Sequence, residues 1–80
     1  MTATMANMKL VYADLLQPSQ LMEGDLINID NDVVEIISIV DDATGDNFIV
    51  THRNDFGEEE ETAFTYEDMI KLYVFVDENY

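Results

Sequence analysis

From Lys9 onward the chain alternates short apolar runs, rich in β-branched and aromatic residues, with clusters of Asp, Asn and Gly. Runs of this length, bounded by turn residues, predict strands rather than helices, and their regular spacing predicts an all-β meander or small barrel. Strands are expected near Lys9–Ala13, Asp25–Asp30, Val33–Asp41, Asn47–Arg53, Glu61–Phe64 and Lys71–Val76. Asp30-Asn31-Asp32 predicts a tight hairpin turn, because Asn and Asp tolerate positive φ and bond their own backbone. Asp41 to Asp46 predicts a longer hairpin loop with Gly45 available for a left-handed position, and Asn54-Asp55-Phe56-Gly57 predicts another. These hairpins join four consecutive strands.

Two short helical turns are expected between strands. Gln17 to Met22 places Pro18 where a first helical residue belongs, and Glu23-Gly24-Asp25 then ends the turn. Thr65-Tyr66-Glu67-Asp68 resembles a capping box, with Asp in place of the usual Glu or Gln, and a turn there would bring Met69 and Ile70 to the core. No segment has the length and 3.6-residue period of a long helix, and there is no internal repeat. Residues 1–7 carry no charged side chain and are read as a flexible lead-in, with Met8 as an alternative start; residues 8–80 form one domain. The expected core is Val34, Ile36, Ile39, Val50, Phe64, Leu72 and Val74.

Composition changes the functional reading more than the fold. Eighteen Asp and Glu stand against three Lys and Arg in 80 residues, a formal net charge of −15. That density repels nucleic acids and anionic membranes. The hydrophobic share of 48% is too high for a disordered acidic tail, so the chain is read as folded. Without Cys there is no disulfide, thiolate nucleophile or Cys-type zinc site. The strongly apolar run Val33–Val40, broken by Glu35 and Ser38, is far short of a membrane span. Met1 to Met8 lacks the basic and apolar regions of a signal peptide, so the expected location is cytoplasmic.

The run Leu21-Met22-Glu23-Gly24-Asp25-Leu26-Ile27-Asn28-Ile29-Asp30-Asn31-Asp32-Val33-Val34-Glu35-Ile36-Ile37 is similar to the opening of the SH3-like barrels of translation proteins, of the type of the elongation factor P N-terminal domain. The resemblance lies in pattern and extends over residues 19–76. It implies a small SH3-like antiparallel barrel of five or six strands with one or two short helical turns. That family carries a basic loop with a functional Lys directed at RNA. The corresponding loop here has Asp41, Asp42 and Asp46 and no base, so an RNA-binding role is not carried over.

Little in the chain suggests catalysis, and the protein is read as a non-enzyme with no cofactor and no metal. The lone His52 shares a strand face with Phe48 and Val50, and the simplest reading is a partly covered, hydrogen-bonded histidine. Without a second His or a Cys, a zinc or copper site lacks ligands. Paired carboxylates need a cleft that a barrel this small has little room for. The Asp-rich loops could attract calcium, but neither keeps the ligand spacing of an EF-hand.

Glu58-Glu59-Glu60-Glu61 is the densest charge run. It reads either as a solubilising edge that discourages pairing with another chain, or as part of a patch for a basic partner. Side chains on one face of a strand repeat about every 6.6–6.8 Å, comparable to successive phosphates along a nucleic-acid strand. Phe56 and Tyr66, beside acidic residues, are the candidate exposed anchors. The candidate partner-binding residues are therefore Asp41, Asp42, Asp46, Asp55, Phe56, Glu58, Glu59, Glu60, Glu61, Tyr66, Glu67 and Asp68. The expected function is inhibition of a basic, nucleic-acid-binding protein by charge mimicry of DNA, with no direct nucleic-acid or membrane partner and the oligomeric state left open. In composition the chain is similar to small acidic bacteriophage inhibitors that resemble DNA. The alternatives are an accessory module of a virion or larger assembly, in which acidity serves solubility, and a calcium-stabilised domain.

Overall fold

The computed structural model describes residues 8–42 and 44–78. The lead-in at residues 1–7 lies outside the described residues. Six strands run β1 (Met8–Leu16), β2 (Leu26–Ile29), β3 (Asp32–Asp42), β4 (Asn47–Arg53), β5 (Glu59–Thr65) and β6 (Ile70–Asp77). All pairings are antiparallel, and the strands form one sheet in the order β1-β6-β2-β3-β4-β5.

The all-β expectation holds, whereas the closed barrel does not form: among the described residues no pairing joins β1 to β5. β1 lies outside β6 and widens the sheet, while the opposite edge carries Glu59, Glu60 and Glu61, whose like charges resist pairing. The radius of gyration, 14.4 Å, accordingly exceeds the roughly 11.6 Å of a compact chain of this length. Of the expected helical turns only the first is present, a single 3-10 turn at Pro18–Gln20 with Pro at its start. At the second, the Asp68 carboxylate accepts the Thr65 N–H at 2.8 Å and the Asp68 N–H reaches the Thr65 carbonyl at 3.1 Å, which closes a turn that no helix follows.

The turns follow from side-chain chemistry. Asp30 and Asn31 both take positive φ, 52° and 69°, giving the two-residue connection whose twist matches a hairpin. In the β3–β4 loop it is Asp46, at φ 55°, and not Gly45 that adopts the left-handed conformation. Gly45 meets a different need: a Cβ there would come within 3.1 Å of Asn47 Oδ1 and 3.2 Å of Asp42 Oδ2.

Leu21, Ile27, Val34, Ile36, Val50 and Ile70 are buried, with Leu16, Ile29, Ile39, Phe64 and Leu72 packed against them. Two β-bulges make this core possible. Ile36 pairs with His52 but Ser38 with Thr51, so one extra residue, Ile37, reverses the alternation. Ile39, which strict alternation from Ile36 would turn outward, thereby pairs with Val50 on the core face. Ala13 plays the same part in β1, turning Leu16 toward Ile70. Two expectations fail here. Val74 is exposed because β6 beyond Tyr73 pairs only with β1. Met69 is exposed at the turn, and only Ile70 reaches the core.

Candidate acidic binding surface

The β4–β5 hairpin carries half of the candidate residues. Its loop is organised by Asn54, whose Oδ1 accepts the Phe56 N–H at 2.9 Å and the Glu58 N–H at 3.0 Å while its Nδ2 donates to Glu58 Oε1 at 2.9 Å. Gly57, at φ 81°, completes the turn. Phe56 is left at the tip, 88% exposed beside Asp55.

Beyond the loop, Glu59 pairs with Arg53, Glu60 with His52 and Glu61 with Thr51. Strand alternation therefore turns Glu59 and Glu61 to one face and Glu60 to the other. The run presents charge along an edge rather than on a single face. Arg53 Nη2 lies 3.1 Å from Glu35 Oε1, and its Nη1 lies 4.0 Å from Glu59 Oε2, so this cation is engaged by two acids.

The other acidic group forms at the far end of the same strands. The β3 bulge that turns Ile39 inward also sets Asp41 opposite Phe48, with Phe64 opposite Phe48 on the other side. Tyr66 packs edge-on against Phe48 at 5.0 Å, and its hydroxyl donates to Asp41 Oδ1 at 2.9 Å. That hydrogen bond, partial desolvation and the negative charges of Asp41, Asp46 and Asp42 raise the phenol above its ordinary pKa of 10.0. Asp46, Tyr66 and Glu67, with Gly45 and Thr65, also line one shallow depression. The structure thus brings Asp41, Asp42, Asp46, Tyr66 and Glu67 together, with Asp68 bound into the adjacent turn, and places Asp55, Phe56 and Glu58–Glu61 at the opposite end of the hairpin. The six residue intervals of β4 separate the two ends by about 20 Å.

His52 is 4% exposed, and its Nε2 forms a 2.8 Å hydrogen bond with Thr62 Oγ1. It joins the buried face of β4 to edge strand β5, as the covered-histidine reading expects. Among the described residues no group of three or more His, Asp or Glu side chains is arranged to hold a metal ion. Among the described residues no helix is long and apolar enough to cross a membrane.

The sheet divides the charge unevenly. β1 and β6 carry Lys9 and Lys71 against Asp14 and Asp77 and are formally neutral, so the whole net charge of −15 resides on the rest of the chain. The signal was present in the sequence, but pairing the first strand with the last was needed to reveal it. The chain matches no protein-family model, no curated protein and no solved structure.

Proposed function

We propose that this protein binds a basic, nucleic-acid-binding protein and blocks it by charge mimicry of DNA, through the acidic edge of the β4–β5 hairpin and the Asp41–Tyr66 end that continues it. The observation that carries this reading is the concentration of charge: the full −15 lies outside β1 and β6, and the one Arg of the acidic hairpin is already paired with Glu35 and Glu59. A basic groove meeting this edge finds carboxylates and almost no opposing cation. Charge would accelerate the encounter, with Phe56 at one end and Tyr66 at the other as anchors. The role is binding, without catalysis, and the proposed setting is the cytoplasm, by analogy of composition with bacteriophage inhibitors. Strands β2 to β6, in the order β6-β2-β3-β4-β5, are proposed as an SH3-like unit with β1 added at its edge. That architecture alone carries no activity.

The test has two steps. Basic proteins captured from a host lysate at low salt are purified, and each is assayed for displacement of a labelled DNA duplex by this chain, followed by fluorescence anisotropy. Competition with DNA that weakens steeply as salt rises, and that is lost on combined Glu59→Lys and Glu61→Lys substitution, supports mimicry. Binding indifferent to salt and to charge reversal overturns it and returns the chain to the accessory-module reading.

A further inference from the structure

We infer that the outer edge of β1 is the docking surface for a second copy of this chain, joined antiparallel about a two-fold axis into one continuous twelve-stranded sheet, two six-stranded halves side by side. The two edges of the sheet are managed in opposite ways. β5 carries Glu59, Glu60 and Glu61, the kind of charge that keeps an edge unpaired. β1 ends the sheet on the other side with Met8, Leu10 and Tyr12 on one face, 53%, 36% and 54% exposed. Opposite them on β6, Phe75 is 57% exposed and Tyr73 meets Tyr12 edge-on at 6.1 Å.

Charge identifies the occupant. Two copies of a −15 protein repel wherever their acidic surfaces meet, so self-contact requires a surface without net charge. The formally neutral β1–β6 pair satisfies that requirement, and it coincides with the exposed apolar row and the acid-free part of the free edge, whose one charge is Lys9. A basic partner, by contrast, gains nothing electrostatically here.

Register narrows the geometry. The bulge at Ala13 and the Asp14 side chain, which accepts the Leu15 N–H at 2.8 Å, blunt the C-terminal half of β1 and leave Met8–Tyr12 as the pairing segment. An antiparallel two-fold contact keeps like faces together. Centred on Leu10, it sets Met8 opposite Tyr12 and Lys9 opposite Val11, and no carboxylate of this segment opposes another.

Sedimentation equilibrium and oxidative cross-linking test this without reference to any other partner. Association to twice the 9.2 kDa chain mass is expected, strengthening with salt because screening removes the repulsion between the acidic bodies. Between ~0.01 M and ~1 M sodium chloride the Debye length falls from about 30 Å to about 3 Å, and the dimer should tighten by about tenfold or more. This is the opposite sign to binding of a basic target. Leu10→Lys, with its fold checked by circular dichroism, should be monomeric throughout. In a chain with no other Cys, Leu10→Cys should oxidise readily to a disulfide-linked dimer, and Val40→Cys, at an exposed position on β3 with β6 and β2 between it and β1, should do so far more slowly. A monomer at millimolar protein in high salt, a dimer that survives Leu10→Lys, or equal cross-linking at the two positions overturns the inference.

Discussion

Replacing Thr62 with Val removes one oxygen from the molecule and isolates the contact that ties the acidic edge strand to the core. The two side chains have nearly the same shape and both suit a strand, so neither a cavity nor a change in propensity accompanies the substitution. What changes is His52. Its Nε2, 2.8 Å from Thr62 Oγ1, belongs to a residue only 4% exposed, and water does not readily take the place of the hydroxyl. A buried polar group left without a partner costs about 1–3 kcal/mol. Thr62 itself is half-buried, which allows some relaxation and favours the lower part of that range, about 1–2 kcal/mol. An 80-residue domain has roughly 4–12 kcal/mol of stability in total.

Urea unfolding followed by circular dichroism reads this directly. With a slope near 1 kcal/mol per molar urea, expected for so small a domain, the midpoint should fall by about 1–2 M with the slope unchanged. The decisive comparison adds His52→Leu to Thr62→Val, which removes both halves of the bond. If the single variant suffers from an orphaned imidazole, the double variant should be more stable than it. A Thr62→Val protein as stable as the parent, or a double variant weaker than the single, would falsify the view that this hydrogen bond holds β5 against the repulsion of Glu59, Glu60 and Glu61.

Two further expectations concern the turns and the acidic end. Tyr66 holds its proton more tightly when folded than when unfolded, so its contribution to stability is fully present below its ordinary pKa of 10.0 and is lost as pH rises through the higher folded value. Ultraviolet titration should show one phenol lagging, Tyr66→Phe should remove that lag, and Asp41→Asn should reduce it; an unchanged curve in both variants counts against the Tyr66–Asp41 bond. Gly57→Ala should destabilise by about 1–2 kcal/mol, because φ of 81° is unfavourable for any side chain even where space is open. Thermal melting checks it, and an unchanged melting temperature would mean that the loop relaxes at no cost.

The strands, the three hairpins and the exposure of Phe56 were legible because they depend on local chemistry. Asp30-Asn31 can hold positive φ, Asn54 can bond two amides ahead, and Phe48, Ile49 and Val50 form a short β-prone apolar run in β4. The bulges were not legible. Ile37 and Ala13 carry no turn signal, and their displacement exists only in register with His52–Thr51 and Leu72–Tyr73 on neighbouring strands. Everything downstream of a bulge changes face, which is why the meeting of Asp41 with Tyr66 could not be read from alternation. Closure failed for a related reason: whether a sheet joins its edges depends on which strand lies last, and β1 added beyond β6 decides that here.

The split of charge connects the two proposed surfaces. A −15 chain that bound a basic groove through one short acidic edge would leave much of its charge unused, and its two acidic groups lie about 20 Å apart at opposite ends of β4. Pairing through β1 would leave a β5 strand on each outer edge of the joined sheet. One dimer would then offer two acidic edges, and once the first engaged, the second would act at high local concentration, provided the target's basic sites lie within its span. Self-association favoured by salt and target binding opposed by it would set an optimum at intermediate ionic strength. Affinity measured against a dimer-deficient Leu10→Lys chain should lose that optimum and fall steadily as salt increases.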